Sequence, residues 1–522
     1  MSASMDTLDG SSWDVVIAGT GLQPALLALA LSRSDQKVLH LDSNDYYGGR
    51  EAALSIPEFE TWVDKTNRCG SASPCANASI DKHDSDGRTG LTSTRGYSLS
   101  LTPTLLYTRS ALLTALVSSK AHEQLEFLAV GNWFVHQASA GVDDASNEYG
   151  LLRVPNGRED IFSSPALSLR AKSALVRFLR FVVAYQDEEN QETLATWNDE
   201  PFADFLTKKF KIQEEYHGPL FALSMSSEPD AKVITQSALA SIHRHLTSMG
   251  IFGAGFSAVL PKYGGLSEVI QVACRAAAVG GTVYVLNRSI QRIGSDPKGT
   301  KEPSIQIQLE GEETVTTRHF INTSYQLPAP DETPVEEGTL YSRSISVVDS
   351  RLTLLFPAGP EGSPPPSAAV VVYPSGSVTL TEGSTSNDHP IHLLVHSADT
   401  GECPQGKCIV YAMTAQGLSV SSAFLDRAVG HLLASVQEDP LPSVAWSVEY
   451  EARTPSTGPA VIVNEQLTGL HRFVEAPSHP VFDDRVIDTV RQAWHTITGE
   501  SEETFLHFGD RNVEPDEDAL DT

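Results

Sequence analysis

WDVVIAGTGLQPALLALALSRSDQKVLHLDSNDYYGG, residues Trp13 to Gly49, is the stretch that decides the fold. A hydrophobic run (Val15 to Ala18) meets Gly19-Thr20-Gly21, an apolar segment follows, and a second hydrophobic run ends at Asp42. This is the spacing of a dinucleotide-binding βαβ unit. In such a unit the first glycine makes the tight turn and the second lets the backbone approach a pyrophosphate. The third allows close helix–strand packing, and an acid about 20 residues on holds a ribose. Gly19, Gly21 and Asp42 keep their places here, but Pro24 stands where the third glycine belongs. Proline is tolerated in the first turn of a helix, so the fold survives. The close packing on which the cofactor seat depends is put in question. Two readings stand: a dinucleotide-dependent oxidoreductase, or a scaffold that has lost its cofactor.

Outward from this unit, 522 residues are too many for one ordinary core, and two or three compact units are expected. Residues 66–96 are rich in Ser, Gly, Asn and Asp without periodicity and read as a mobile insertion. From Ser100 to about Ala231 apolar residues fall at helical spacing, as in SSPALSLRAKSALVRFLRFVVAYQDEE. Alternating β patterns then return in GGTVYVLNRSIQRI and SIQIQLEGEETVTTRHFINTS, and later in AAVVVYP, IHLLVHSA and CIVYAMTAQ. The expected fold is α/β: a dinucleotide-type βαβ domain with β-rich additions, interrupted by a smaller all-helical domain. Residues 1–99 and 232–510 form the first domain, 100–231 the helical one, and 511–522 an acidic, disordered tail.

The formal charge of −29 excludes nucleic-acid binding through phosphates, because no basic excess exists to replace counterions. Five cysteines at irregular spacing, without a CxxC pair, predict reduced thiols and no metal site. No HExxH motif is present, and no nucleophile accompanies His40, His243 or His245 at a readable spacing, so neither a metal nor a catalytic residue is expected. The N-terminal residues have neither the basic nor the apolar region of a signal peptide. The longest apolar run, Ala25 to Leu31, is too short to span a membrane, so the expected location is intracellular.

Two longer stretches are more specific than the glycine turn. HLDSNDYYGG (His40–Gly49) and HRHLTSMGIFGAGFSAVLPKYGGLSEVIQVACRAAAVGGTVYVL (His243–Leu286) resemble the two signature blocks of the GDP-dissociation inhibitor and Rab escort superfamily. LLYTRSALL and VPNGREDIF, between them, are similar to family segments too. The resemblance covers most of the chain and is weak in 66–96 and 340–410. It implies the flavoprotein-like scaffold without redox activity and without a cofactor. Gly19, Gly21 and Asp42 are then a structural loop. Tyr47, Glu268 and Arg275 match polar positions of the family's Rab-binding platform, and Val285 matches an apolar one. The alternative is an internal Glu268–Arg275 ion pair with Tyr47 as turn packing. YGGLSE holds one residue more between its tyrosine and Glu268 than the family's pattern, which puts Glu268 in doubt.

The branch within the family turns on ALVRFLRFVVAY. Its apolar stripe reads Leu175, Phe178, Leu179, Val182 and Gln186, and Phe181 lies about 120° off that centre. A large aromatic there is either an interdomain contact or a docking anchor. Phe181 is similar in position to the phenylalanine that anchors the prenyltransferase in the escort branch, where inhibitors tend to have tyrosine. The resemblance therefore implies an escort of fungal type. Its partners would be GDP-bound Rab GTPases, the Rab geranylgeranyltransferase α/β heterodimer, which carries any zinc, and the geranylgeranyl lipid of the prenylated Rab. It implies a non-catalytic accessory component in the cytoplasm, with transient peripheral membrane association and the nucleus left open. An inhibitor that recycles prenylated Rabs is the alternative, and a flavin oxidoreductase is the third reading.

Overall fold

The computed structural model describes residues 7–69, 73–82, 91, 93–138, 149–155, 168–295, 304–323, 338–357, 364–380, 385–454, 460–464, 467–476 and 479–509. Two sheets organise them. In the first, Ser12–Ala18 pairs in parallel with Val38–Leu41 on one side and Thr314–Thr323 on the other. Val283–Val285 adds a further parallel strand beyond Val38–Leu41. Ile305–Leu309 and Ile290–Ser295 continue the other flank antiparallel, and Leu470–Val474 runs parallel to the far end of Thr314–Thr323. The sheet is thus assembled from the beginning, middle and end of the chain.

The helix Leu22–Leu31 is buried on all sides, as a helix without a polar face must be. It packs between the sheet and two later helices, Leu266–Val279 and Arg485–Thr498. Where the first of these ends, a Cβ on Gly280 would come within 2.6 Å of the Ser32 Cβ, so glycine permits the close approach.

The second sheet has ten strands. Its order runs Cys75–Lys82, Val444–Thr454, Thr339–Val348, Cys408–Thr414, Ile391–Ser397, Ala368–Tyr373, Phe127–Ala138, Ala258–Pro261 and Leu106–Tyr107, with Tyr149–Arg153 paired to Phe127–Ala138. Helix Leu418–Ser435 covers one face, and helices between Leu169 and Ser248 cover the other. At the centre of the second contact, Trp133 of the sheet meets His245 of helix Thr235–Ser248 edge to face, ring centroids 4.9 Å apart.

Two expectations are corrected here. The segment 100–231 is not all helical: after helix Ala111–Ser118, Phe127–Ala138 and Tyr149–Arg153 are strands of the large sheet, and helices resume at Leu169. Residues 129–135 are buried with the exception of the partly exposed Gly131, so the run carries no alternation to mark it as a strand. The segment 66–96 is not wholly an insertion either. Helix Ile56–Cys69 extends into it, and Cys75–Lys82 forms the edge of the large sheet on Val444–Thr454. An edge strand with one solvated face keeps the polar composition that disguised it. Residues 70–72, 83–90, 92 and the tail 511–522 lie outside the described residues. Among the described residues, no helix is long and apolar enough to cross a membrane.

Candidate functional site

The glycine turn closes as its sequence predicts. Gly19 takes φ +95°, its N–H donates to Leu41 O at 2.8 Å, and helix Leu22–Leu31 starts after Gly21 with Pro24 in the first turn. His40, fully buried, bonds Gly19 O at 2.6 Å, and burial pulls its pKa down to about 4. Asp42, where a cofactor ribose would be held, is engaged by its own chain. One carboxylate oxygen accepts from Thr20 N (2.7 Å) and Thr20 Oγ1 (2.6 Å). The other accepts from Asn44 N (2.8 Å) and Asn44 Nδ2 (3.0 Å). The Thr20 hydroxyl in turn accepts from Gly48 N at 3.0 Å, which draws the YYGG loop over the turn.

Two residues further on, the loop drops a carboxylate into the cleft. Glu51 comes up to the helix start: its Oε2 lies 2.9 Å from where a Cβ on Gly21 would stand, and the Leu22 N–H favours its charged form. Beside it, Arg50 Nη1 donates to Glu475 Oε2 at 2.5 Å, and Arg50 Nε lies 4.0 Å from Glu51 Oε1. Burial pushes the Glu51 carboxyl up to about 7, against the pull of Arg50. These side chains line a cleft of about 160 Å³, together with Thr20, Asn44 and Lys65. A dinucleotide does not fit it. The helix N-terminus that would face the pyrophosphate faces Glu51, and an incoming phosphate would meet that carboxylate.

On the other side of the loop lie the residues singled out from the sequence. Backbone bonds from Asn287 N to Asn44 O (2.8 Å) and Arg288 N to Asp42 O (2.9 Å) lay the loop along the strand Val283–Val285. This brings Tyr47 edge-on to Tyr284 at 5.8 Å, while Tyr284 stands 4.8 Å from the His40 ring. Tyr47 is half-buried; burial and the neighbouring Cys274 thiol raise its hydroxyl pKa. Val285, also half-buried, pairs with Leu41.

Glu268 and Arg275 sit two turns apart on helix Leu266–Val279. Tyr263, Gly264 and Gly265 all take positive φ (+73°, +133° and +64°), so a left-handed turn absorbs the additional residue before the helix begins. Glu268 consequently falls in the first turn, where the helix dipole favours an acid. Burial raises its pKa and Arg275 opposes the rise, yet among the described residues no ion pair joins the two. Arg275 itself is exposed. Tyr47 thus packs on the sheet face that carries the Leu266–Val279 helix, whereas Val285 packs with Leu39 and Leu41 on the opposite face.

Phe181 departs from its sequence-based placement. The buried stripe of Leu169–Val183 runs through Ala171, Ala174, Leu175, Phe178 and Val182, while Leu179 is only partly buried and Gln186 is exposed. Phe181 follows Phe178 by three residues, so it borders that stripe instead of standing opposite it. It is half-buried, 5.7 Å from the Phe205 ring and 5.3 Å from the Phe210 ring. The small alanines in the stripe hid its true centre. Sequence reasoning also missed Arg50, Glu51 and Glu475; the charged pair directly after two glycines was the available signal.

Comparisons with known proteins agree with this scaffold. The family model of the GDP dissociation inhibitors matches residues 8–327. Over 404 residues, 77% of this chain, the sequence is 30% identical to Rab proteins geranylgeranyltransferase component A of Saccharomyces cerevisiae. It is 29% identical over 421 residues, 80% of this chain, to the protein of the same name from Candida albicans. Each match spans 61% of the relative's own length. Among solved structures, Rab GDI of Plasmodium falciparum superposes with a TM-score of 0.64 at 19% identity, over 94% of this chain and 99% of that one. An oxidoreductase from Methanosarcina mazei shares the fold at a TM-score of 0.58 and 13% identity, over 92% and 99% of the two chains. With more than half of its length matched by the family model, the chain belongs to the GDP dissociation inhibitor family.

Proposed function

We propose that this protein is a Rab escort: an accessory, non-catalytic component that binds GDP-loaded Rab GTPases, presents them to a Rab geranylgeranyltransferase and carries the prenylated product to a membrane. The observation that carries the reading is the half-buried Tyr47 bordering Cys274 on helix Leu266–Val279, the helix that also bears the exposed Arg275. A half-buried tyrosine gives a rigid aromatic contact, and an unbridged arginine can meet an acidic group of a partner bidentately. The 30% identity to a protein named as a transferase component supports the escort branch.

In this reading the platform grips the GTPase, its flexible C-terminus reaches the transferase, and the helices from Leu169 to Ser248 dock that enzyme, with Phe181 at the contact. An apolar groove in the same helical layer then shields the geranylgeranyl chain. Each CH₂ withdrawn from water contributes about 0.8 kcal/mol, so a carrier must bury most of a C20 chain to compete with a bilayer. Zinc, if the transfer requires it, belongs to the enzyme.

Reconstitution tests the proposal. The chain, a GDP-loaded Rab and the transferase heterodimer should together transfer geranylgeranyl groups, and omission of the chain should abolish transfer. A chain that never supports transfer but extracts prenylated Rab from membranes is the inhibitor, the reading favoured by the Rab GDI fold match.

A further inference from the structure

The dinucleotide seat of this fold is closed from within, and the same closure holds the platform loop. We propose that Glu51 is an internal stand-in for the cofactor phosphate, whose binding at the N-terminus of helix Leu22–Leu31 fixes the YYGG loop and so positions Tyr47. The role given to Tyr47 rests on the function proposed above; the filling of the seat does not.

Three contacts converge on this assignment. A helix start leaves unsatisfied N–H groups, and Gly21 at the cap position has no side chain to meet them. Glu51 brings a carboxylate oxygen to that helix start, where the Leu22 N–H favours its charged form. The carboxylate approaches so closely, 2.9 Å from a notional Gly21 Cβ, that any larger residue would displace it. Glycine at this position serves the same purpose with a pyrophosphate. Thr20, bonded to Asp42 and to Gly48 N, ties down the middle of the loop, so that the acid normally free for a ribose is consumed as well. Arg50, clamped by Glu475, holds the loop's far end. Residues 42–51 therefore occupy both halves of the former cofactor seat, and Tyr47 is the half-buried side chain that this loop sets edge-on against Tyr284. Glu51 acts through the loop and touches no partner itself; it is a positioning residue.

The test uses the full chain carrying Glu51→Ala, Glu51→Ser or Glu51→Gln. Inorganic phosphate and pyrophosphate serve as probes, with sodium chloride at matched ionic strength as control. If the seat is a phosphate seat, either anion should refill it in the Ala and Ser variants. Their melting temperatures should rise by about 1–2 °C more than that of wild type, whose seat is filled. Binding of GDP-loaded Rab should weaken about tenfold in the Ala and Ser variants. Glu51→Gln, which keeps a side-chain oxygen acceptor of the same length at the helix start, should restore most of it. Anions that stabilise variants and wild type equally would overturn the filled seat. Rab binding unchanged by Glu51→Ala, alongside a normal anion response, would overturn the positioning of Tyr47. If the wild type binds no Rab, the proposed function fails while the anion response still decides the seat.

Discussion

Arg50 Nη1 meets Glu475 Oε2 at 2.5 Å although 425 positions of chain separate the two residues. Their side chains are 7% and 14% exposed, so the bond lies inside the molecule and joins the platform loop to the segment that follows strand Leu470–Val474. Removing one partner of a buried pair leaves the other charge unmatched, at about 3–5 kcal/mol. Glu475→Ala is therefore expected to destabilise the chain by that order in denaturant titrations. Glu51 would remain as a counter-charge 4.0 Å from Arg50. A loss below about 1 kcal/mol would mean that the pair is solvated and does not anchor the loop.

Arg275 offers the opposite case. It is exposed and unbridged among the described residues, so Arg275→Ala should change stability by no more than about 0.5 kcal/mol. If the platform reading holds, the same substitution weakens binding of GDP-loaded Rab at least tenfold, about 1.4 kcal/mol. A melt run beside a titration separates the two quantities. A lower melting temperature with unchanged affinity would return Arg275 to a structural role.

For Phe181 the aromatic cluster alters what truncation should do. Because its ring packs on Phe205 and Phe210, Phe181→Ala is expected to cost about 1–2 kcal/mol of stability. Phe178, with no exposed surface, should cost about 3–5 kcal/mol on the same change. A prenylation assay at a temperature where both variants are folded then reads the docking role. Phe181→Ala should lose stimulation of the transferase while retaining Rab binding. Full stimulation would confine Phe181 to packing.

Acid should unfold the protein through its histidines. Burial pulls the pKa of His40, His245, His431 and His471 down to about 4 and that of His392 to about 3. Each binds its proton more weakly folded than unfolded, where the value is about 6.5. Their contribution is complete above pH 6.5 and is lost as the pH falls towards 4. Denaturation midpoints should hold steady from pH 8 to 7 and drop steeply below 6. His245→Gln and His471→Gln should each flatten that slope. A flat profile down to pH 4.5 would show that these rings gain compensating partners on protonation.

The sequence by itself determined the βαβ opening and the two signature blocks. Gly19 and Gly21 are local backbone requirements, Asp42 caps the same turn through its carboxylate, and an almost wholly apolar helix writes its burial directly into composition. Tyr47, Glu268, Arg275 and Val285 were singled out only through the resemblance of those blocks to the family's. Only the tertiary structure decided that Cys75–Lys82 and Phe127–Ala138 are strands, since pairing with a distant segment, not alternation, makes them so. It alone placed Phe181 on the edge of its helix's buried stripe, because two small alanines define that stripe without looking hydrophobic. Above all, it alone filled the cofactor seat. Glu51 lies 30 residues beyond Gly21, and Glu475 lies hundreds further. No local pattern announces that a carboxylate will fold back onto a helix start; that placement exists only once the ends of the chain have been brought into one sheet.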